Sequence, residues 1–352
     1  MTSPRYRVLV VDDSAFARKV IRDVLTSTGD LEVIGVARDG LEALEKISDL
    51  EPDVVTLDLS MPNLDGLGVL NALPRGRGPR AVIVTQAEEN SESALAALDA
   101  GAVALVHKPT ALATDRMYEL SDELVGAVRA AGTARSPTLL PAAERVPWLP
   151  GGEVRKRLVV IGASTGGPQA LTRLLSAIPA GFPAPIALVL HIPIGYTAPF
   201  AERLNRECQL EVVEASEGLE LRPGLVVVAR AGLHLKIARE GGLLRAALDV
   251  LPMNTAHRPS VDVLFESAAA AVGPDVLGVV LTGMGDDGLA GARLIHAMGG
   301  ELLTEAPSTC VVYGMPRAVF EAGLGAWQAP LPELPHHIVE RVHGMDDTLA
   351  SR

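Results

Sequence analysis

Short runs of branched apolar residues recur along the chain, each followed by a stretch whose apolar positions fall three and four apart. RVLVV (Arg7–Val11), LEVIGVA (Leu31–Ala37), VVTLD (Val54–Asp58), AVIVT (Ala81–Thr85) and AVALV (Ala102–Val106) are the first five. Their near-continuous β-branched content predicts strands buried on both faces, as in parallel sheets. The segments between them, such as FARKVIRDVLTS, carry the spacing of amphipathic helices. Five strand–helix units predict a flavodoxin-like doubly wound α/β domain over residues 5–129, with strand order 2-1-3-4-5.

From Ala130 the periodicity stops. AAGTARSPTLLPAAERVPWLPGGE holds four prolines and three glycines, which predicts a linker over residues 130–154. Leu139, Leu140 and Trp148 within it predict packing rather than free movement. A second alternating series begins at Arg157 with RLVVIG and continues through IALVLHIP, GLVVVA and VLGVVLTG. It predicts a Rossmann-like doubly wound parallel α/β catalytic domain over residues 155–345, with a helical tail after Leu331.

Composition narrows the class. At 352 residues the chain suffices for two domains. Apolar residues make up 48% and mean hydropathy is +0.26, yet no apolar run approaches the ~18 residues of a bilayer span. The opening MTSPRYRVLVVDDS lacks the apolar stretch of a signal peptide. A cytoplasmic protein without membrane insertion is expected. The formal charge of −12 argues against a nucleic-acid partner, which would call for a basic surface. Cys208 and Cys310 have no metal-ligand spacing and read as reduced structural thiols. Aromatics are only 3%, so Leu, Val, Ala and Ile must build the cores.

Doubly wound sheets bind ligands at the carboxyl ends of their strands, and in the first domain the unusual polar residues gather there. Asp12 and Asp13 end the first strand, Asp58 the third and Thr85 the fourth; Lys108 follows the fifth, with Pro109 after it in a bond that could be cis. The first and third strands would be neighbours, so three carboxylates converge. Like charges that close repel unless a cation joins them, and oxygen ligands suit Mg²⁺. One strand-end aspartate alone would read as a helix cap; this many polar positions along one edge do not.

The constellation resembles the receiver domains of response regulators, from Arg7 to Val128, and MPNLDG (Met61–Gly66) fits the same pattern. The resemblance implies that Asp58 accepts a phosphoryl group from a sensor histidine kinase. It implies Mg²⁺ on Asp12, Asp13, Asp58 and the Ser60 carbonyl, with Thr85 and Lys108 on phosphoryl oxygens. Leu105 stands where receivers often carry Phe or Tyr, so aromatic switching lacks its side chain.

VVIGASTGGPQAL (Val159–Leu171) opens the second domain and allows two readings. Gly162, Ser164, Gly166, Gly167 and Pro168 between strand and helix could cradle a phosphate. A dinucleotide site would want an acid at the next strand's end, where His191 stands instead, and no Gly-Lys-Ser/Thr is present. The other reading is a nucleophile: Gly162–Gly166 is a G-x-S-x-G turn that exposes a hydroxyl. A serine needs a base within about 3 Å; His191 is placed for that, and Asp286 or Asp287 after VVLTG could orient it. Either aspartate also reads as the cap of the helix opening DDGLAGARLIHAMG.

IGASTGGP, LHIP, HRPSVDVLF, LTGMGDDG and CVVYGMP resemble, in order, the motifs of the protein-glutamate methylesterases of bacterial chemotaxis. Arg230–Ala231–Gly232 departs from the family's Pro before the His234–Leu235 pair. The resemblance implies Ser164 as nucleophile, His191 as general base and Asp287 as triad acid, with Asp286 in a variable slot. It implies no cofactor in the catalytic domain. The substrates would be glutamyl methyl esters on methyl-accepting chemoreceptors, with methanol released, and specific glutamines, which would be deamidated. Backbone N–H groups near Met284 or Thr165 would hold the oxyanion. His234 and His257 stay outside the triad as structural or substrate-lining residues. The resemblance also implies that the unphosphorylated receiver covers the Ser164 cleft. The rivals are a receiver-controlled binding protein with an inactive esterase domain, and a nucleotide-dependent oxidoreductase.

Overall fold

The computed structural model describes residues 5–74, 78–85, 91–108, 116–134, 145–147 and 154–343. The chain divides into two compact units, Met1–Leu139 and Leu140–Arg352.

In the first unit, strands and helices alternate without exception: β1 (Tyr6–Val11), α1 (Ala15–Thr26), β2 (Leu31–Ala37), α2 (Gly40–Leu50), β3 (Val54–Leu57), α3 (Gly66–Ala72), β4 (Arg80–Thr85), α4 (Ser91–Asp99), β5 (Ala104–His107) and α5 (Arg116–Thr133). The sheet runs β2-β1-β3-β4-β5 and is parallel throughout, the order expected from the sequence. The strand expected at Ala102–Val106 pairs only from Ala104 onward, and α5 runs on to Thr133, into the stretch read as linker. Each of the first three helices starts on a side-chain cap. Ser14, Asp39 and Asp65 accept the N–H groups of Ala17, Glu42 and Gly68, which removes one orphan donor per helix. α1 buries Ala17, Val20, Ile21 and Leu25, the three-and-four stripe of its sequence.

The second unit contains β6 (Leu158–Ala163), α6 (Gly167–Ala177), β7 (Ile186–Leu190), α7 (Thr197–Glu207), β8 (Glu211–Glu214), β9 (Leu225–Val228), β10 (His234–Glu240), β11 (Leu243–Asp249), α8 (Val261–Val272), β12 (Val276–Val280), α9 (Leu289–Ala297), β13 (Glu301–Glu305), α10 (Met315–Glu321), β14 (Trp327–Ala329) and α11 (Leu334–His343). Seven strands form one parallel sheet in the order β14-β13-β12-β6-β7-β9-β8. The chain leaves β6 toward β7 on one side and later returns to β12 on the other. The crevice of a doubly wound sheet opens at such a reversal, and here it opens at the end of β6.

The alternation breaks where β8 passes to β9 with no helix between them, and again at the element that follows. β10 and β11 form an antiparallel hairpin turned by Gly241 and Gly242, both at positive φ, as a two-residue hairpin turn requires. Leu235 and Ile237 alternate inward and join Ala246 in the core beneath. Within the stretch read as linker, Val146 belongs to the second unit; it is buried and its N–H bonds the Ala177 carbonyl at 3.0 Å, which pins this point to the end of α6. Leu139, Leu140 and Trp148 lie outside the described residues.

The core of the second unit is aliphatic around a few rings. Phe265 on α8 has no exposed surface. It fits because Gly278 in β12 and Gly291 in α9 carry no side chain where its ring and Cβ approach. Phe265→Ala should lower unfolding stability by about 3–5 kcal/mol, read as a shift of the urea midpoint with an unchanged slope.

Candidate active site

Register brings the second unit's polar residues together. Ala163 lies opposite Leu190, so Ser164 and His191 follow at adjacent strand ends, ~5 Å apart along the hydrogen-bonding direction. The His191 N–H bonds the Ala163 carbonyl at 3.1 Å and the Ser164 N–H bonds the Thr282 carbonyl at 3.0 Å. Gly166, at φ +79, lets the chain swing from strand into α6, and Pro168 sits in the helix's first turn. Gly283 makes the site compact: a Cβ there would lie 2.8 Å from the Ser164 Cβ.

Asp287 is the most heavily bonded carboxylate in the unit. Its Oδ2 lies 2.9 Å from His191 Nε2 and accepts the Val261 N–H at 2.8 Å. Its Oδ1 accepts from the Ser260 hydroxyl at 2.9 Å and the Asp262 N–H at 3.0 Å. These donors are the cap and first turn of α8, where a negative charge meets the positive end of the helix dipole. Burial opposes the charge, but His191 and the amides outweigh it and hold the carboxyl well below the usual range. Asp262 returns the arrangement: its Oδ1 accepts the Gly288 N–H at 2.9 Å and the Gly291 N–H at 2.8 Å, at the start of α9. Each helix is thus capped by an aspartate at the head of the other. The sequence offered Asp286 or Asp287 as the cap of α9; neither carboxylate caps it, and Asp286 is exposed.

With Nε2 on Asp287, the other imidazole nitrogen of His191, Nδ1, is buried and without a hydrogen-bond partner among the described residues. The Ser164 hydroxyl makes no hydrogen bond among the described residues, so the contact expected between Ser164 and His191 is not formed. His257 stacks on His191 with ring centroids 4.0 Å apart and planes inclined by 23°; desolvation of the stacked face and the neighbouring imidazole lower its pKa. His234 is fully buried. Its Nδ1 accepts the Ser260 N–H at 3.2 Å and its Nε2 faces the Pro252 carbonyl at 3.0 Å. It therefore supports the cap of α8 from behind, and burial lowers its pKa.

In the first unit, ligand oxygens of Asp12, Asp13 and Asp58 lie within 4.8 Å of one another. Lys108 Nζ sits 2.8 Å from Asp12 Oδ2 and 2.9 Å from Asp58 Oδ2. Burial raises the pKa of Asp12. Burial would lower that of Lys108, but hydrogen bonds to Asp12 and Asp58 raise it on balance. Thr85 is buried at the end of β4, and its carbonyl takes the Lys108 N–H at 2.7 Å. The Asp58 Oδ1 faces the Ser60 N–H at 3.4 Å. Gly66 in MPNLDG has a steric reason: any Cβ there would collide with the Asp58 carbonyl oxygen. Leu105 is a buried strand residue. Pro109, and so the geometry of the Lys108–Pro109 bond, lies outside the described residues. Neither cysteine is in a disulfide, and the Cys310 thiol donates to the Glu305 carbonyl at 3.7 Å.

Fold and strand-edge chemistry together define the class: a receiver joined in one chain to a doubly wound α/β unit with a hydrolase-like rim. Residues 159–338 match the family model for CheB methylesterase and residues 8–118 that for the response regulator receiver domain. The protein-glutamate methylesterase/protein-glutamine glutaminase 5 of Myxococcus xanthus is 63% identical over 329 residues, covering 92% of this chain and 94% of its own. The enzyme of that name from Geobacillus kaustophilus is 42% identical over 343 residues, covering 96% and 98%. The crystal structure of the Thermotoga maritima CheB methylesterase catalytic domain superimposes with a TM-score of 0.52 at 38% identity, covering 53% of this chain and 99% of that one. The chain therefore belongs to the CheB methylesterase family. Nothing in the site or among these relatives favours an inactive esterase domain. No helix among the described residues is long and apolar enough to cross a membrane.

The sequence reading missed Asp262, Ser260 and Thr282 as parts of the site. Asp262 and Ser260 stand in HRPSVDVLF, but only the pairing of α8 with α9 brings them to Asp287. Asp262→Ala should cost about 1–2 kcal/mol through the lost cap, whereas Asp262→Asn keeps the accepting oxygen and should cost less. Urea midpoints of the two variants would check this order.

Proposed function

We propose that Ser164, His191 and Asp287 carry the hydrolysis of glutamyl methyl esters on the cytoplasmic part of chemoreceptors, under control of phosphorylation at Asp58. The observation that carries the reading is the His191–Asp287 pair at 2.9 Å, on the strand edge where Ser164 is the neighbouring nucleophile.

The bonding of His191 supports a division of roles between its nitrogens. Nε2 is engaged by Asp287, so Nδ1 is the base, the reverse of the serine-protease arrangement. Ser164 closes on Nδ1 by a side-chain rotation as substrate binds; hydrogen bonds of this kind are often loose in the free enzyme. Nδ1 takes the hydroxyl proton as Oγ attacks the ester carbonyl, and Asp287 stabilises the imidazolium. The N–H groups of Thr165 and Met284 bond no described acceptor and flank Ser164, so they fit the developing oxyanion, each donor worth about 3 kcal/mol of barrier. His191 returns its proton to the departing methoxide, and methanol leaves. Water, activated by Nδ1, then hydrolyses the acyl-enzyme to glutamate and free Ser164. With a glutamine side chain the same steps release ammonia.

In the receiver, Asp12, Asp13 and Asp58 present the hard oxygen donors that Mg²⁺ prefers, and Lys108 alone leaves three carboxylates under-compensated. Bound there, the metal would neutralise charge on the incoming phosphoryl group. Asp58 is the acceptor, a sensor histidine kinase the donor, and Thr85 and Lys108 contact phosphoryl oxygens. The protein acts in the cytoplasm, without nucleic acid or membrane insertion.

Methanol release from methylated receptor membranes, with and without acetyl phosphate, tests the reading. Ser164→Ala should release none above background, and Asp287→Asn should lose about 10³–10⁴-fold in kcat. Asp58→Ala should keep its basal rate and lose the stimulation by acetyl phosphate. Equal rates for phosphorylated protein and Asp58→Ala would remove the regulatory role.

A further inference from the structure

The edge of the second sheet carries a fully buried carboxyl that ester hydrolysis does not use. Glu305 ends β13 and has no exposed surface. Its Oε2 accepts the Thr282 N–H at 2.8 Å, while Oε1 is buried and forms no well-aligned hydrogen bond among the described residues, with the Thr309 hydroxyl and Cys310 thiol close by. A half-satisfied buried carboxyl is a costly thing to keep in a core.

Thr282 explains what it holds. The β12–β13 ladder ends at the pair Val280–Thr304. Beyond it the Leu281 N–H turns to the Gly162 carbonyl of β6. The Thr282 N–H faces the other way, toward β13, where the chain departs into the loop before α10 and no ladder carbonyl remains. The Glu305 side chain takes that place. Every other polar group of Thr282 is committed to the site. Its carbonyl accepts the Ser164 N–H at 3.0 Å. Its hydroxyl donates to the Thr165 carbonyl at 2.9 Å and accepts the Val312 N–H at 3.0 Å. The next residue, Gly283, donates to the Val312 carbonyl at 3.0 Å and accepts from Gly314 and Met315. Thr282 is therefore the joint between the nucleophile turn and the segment that leads to the Met284 N–H and Asp287.

We propose that Glu305 is a positioning residue for the ester hydrolysis: by holding Thr282 it sets Ser164 and the Met284 N–H against each other, acting as a hydrogen-bond acceptor and not as a charge. The proposal rests on the esterase reading above. Burial pushes the Glu305 carboxyl up to about 7, against the Thr282 amide, the Thr309 hydroxyl and the Cys310 thiol. These last are the polar groups beside it, and Cys310 is the titratable one. Below that pH the side chain is neutral and the joint is undisturbed. Above it, an uncompensated charge sits directly beneath the nucleophile turn.

The full-length protein, assayed by methanol release from methylated receptor membranes between pH 6 and 9, tests this, with kcat and KM resolved and thermal melts alongside. Glu305→Ala should lower kcat by at least about tenfold and leave KM within about twofold, because the loss falls on geometry at the transition state. Glu305→Gln, which keeps an accepting oxygen, should recover kcat to within about threefold of native at pH 6. The native kcat should fall through an ionisation near 7, absent in Glu305→Gln and still present in Cys310→Ser. Native kcat in Glu305→Ala would overturn the proposal, as would a Glu305→Gln protein that melts normally and is no more active than Glu305→Ala. If Glu305→Ala does not fold, the pH profile of Glu305→Gln decides alone, and an ionisation unchanged from native overturns the role. A native protein that releases no methanol would instead defeat the esterase reading itself.

Discussion

Two aspartates at the heads of two helices hold the second unit's chemistry in place. Asp287 precedes α9 yet caps α8; Asp262 belongs to α8 yet caps α9. A carboxylate placed to orient an imidazole must stay ionised while buried, and burial alone pushes the other way. The first-turn amides of α8 supply the compensation, since they are unsatisfied donors at the positive end of a helix. The same bonds fix where Asp287 points, so one arrangement sets both charge and direction. His234 extends the support one step further by taking the Ser260 N–H. β7 places His191 at the sheet edge, and the two packed helices, through Asp287, set the direction of its ring.

The two units meet the same electrostatic problem at the same topological place and resolve it differently. Both gather polar residues at the carboxyl edge of a parallel sheet, where strand ends leave a crevice. In the receiver, three carboxylates crowd together with one lysine, which leaves an excess of negative charge. In the second unit, a single carboxylate is neutralised by backbone dipoles and an imidazole. The first arrangement keeps an excess of negative charge; the second compensates its carboxylate from within the unit. Glu305 is the third variation, a fully buried carboxyl beside which the described residues place no cation, so burial raises its pKa.

Much of this was legible along the chain because the relevant signals are local. Branched apolar runs and three-and-four spacing mark parallel strands and amphipathic helices, and residues at strand ends must share an edge once the sheet is parallel. Asp12, Asp58, Thr85 and Lys108 could be placed together on that ground alone, as could Ser164 and His191 on adjacent strands. The β10–β11 hairpin was less visible, although its Gly241–Gly242 turn lay in plain sight, because a two-residue turn between half-buried strands competes with a strong alternating background. The assignment of α9's cap failed for a related reason. A sequence reading gives a capping aspartate to the helix that follows it, and here two helices exchange theirs.

The sequence by itself determined the composition of each edge: which residue types stand at strand ends, and therefore which chemistries the two crevices can support. Only the tertiary structure decided which nitrogen of His191 faces Asp287, which helix stabilises that carboxylate, and that Glu305 takes the Thr282 N–H. The reason is physical. Strand periodicity is imposed by neighbours in the chain, whereas a hydrogen bond between residues 96 positions apart, such as His191 to Asp287, exists only once helices have packed and strands have found their register.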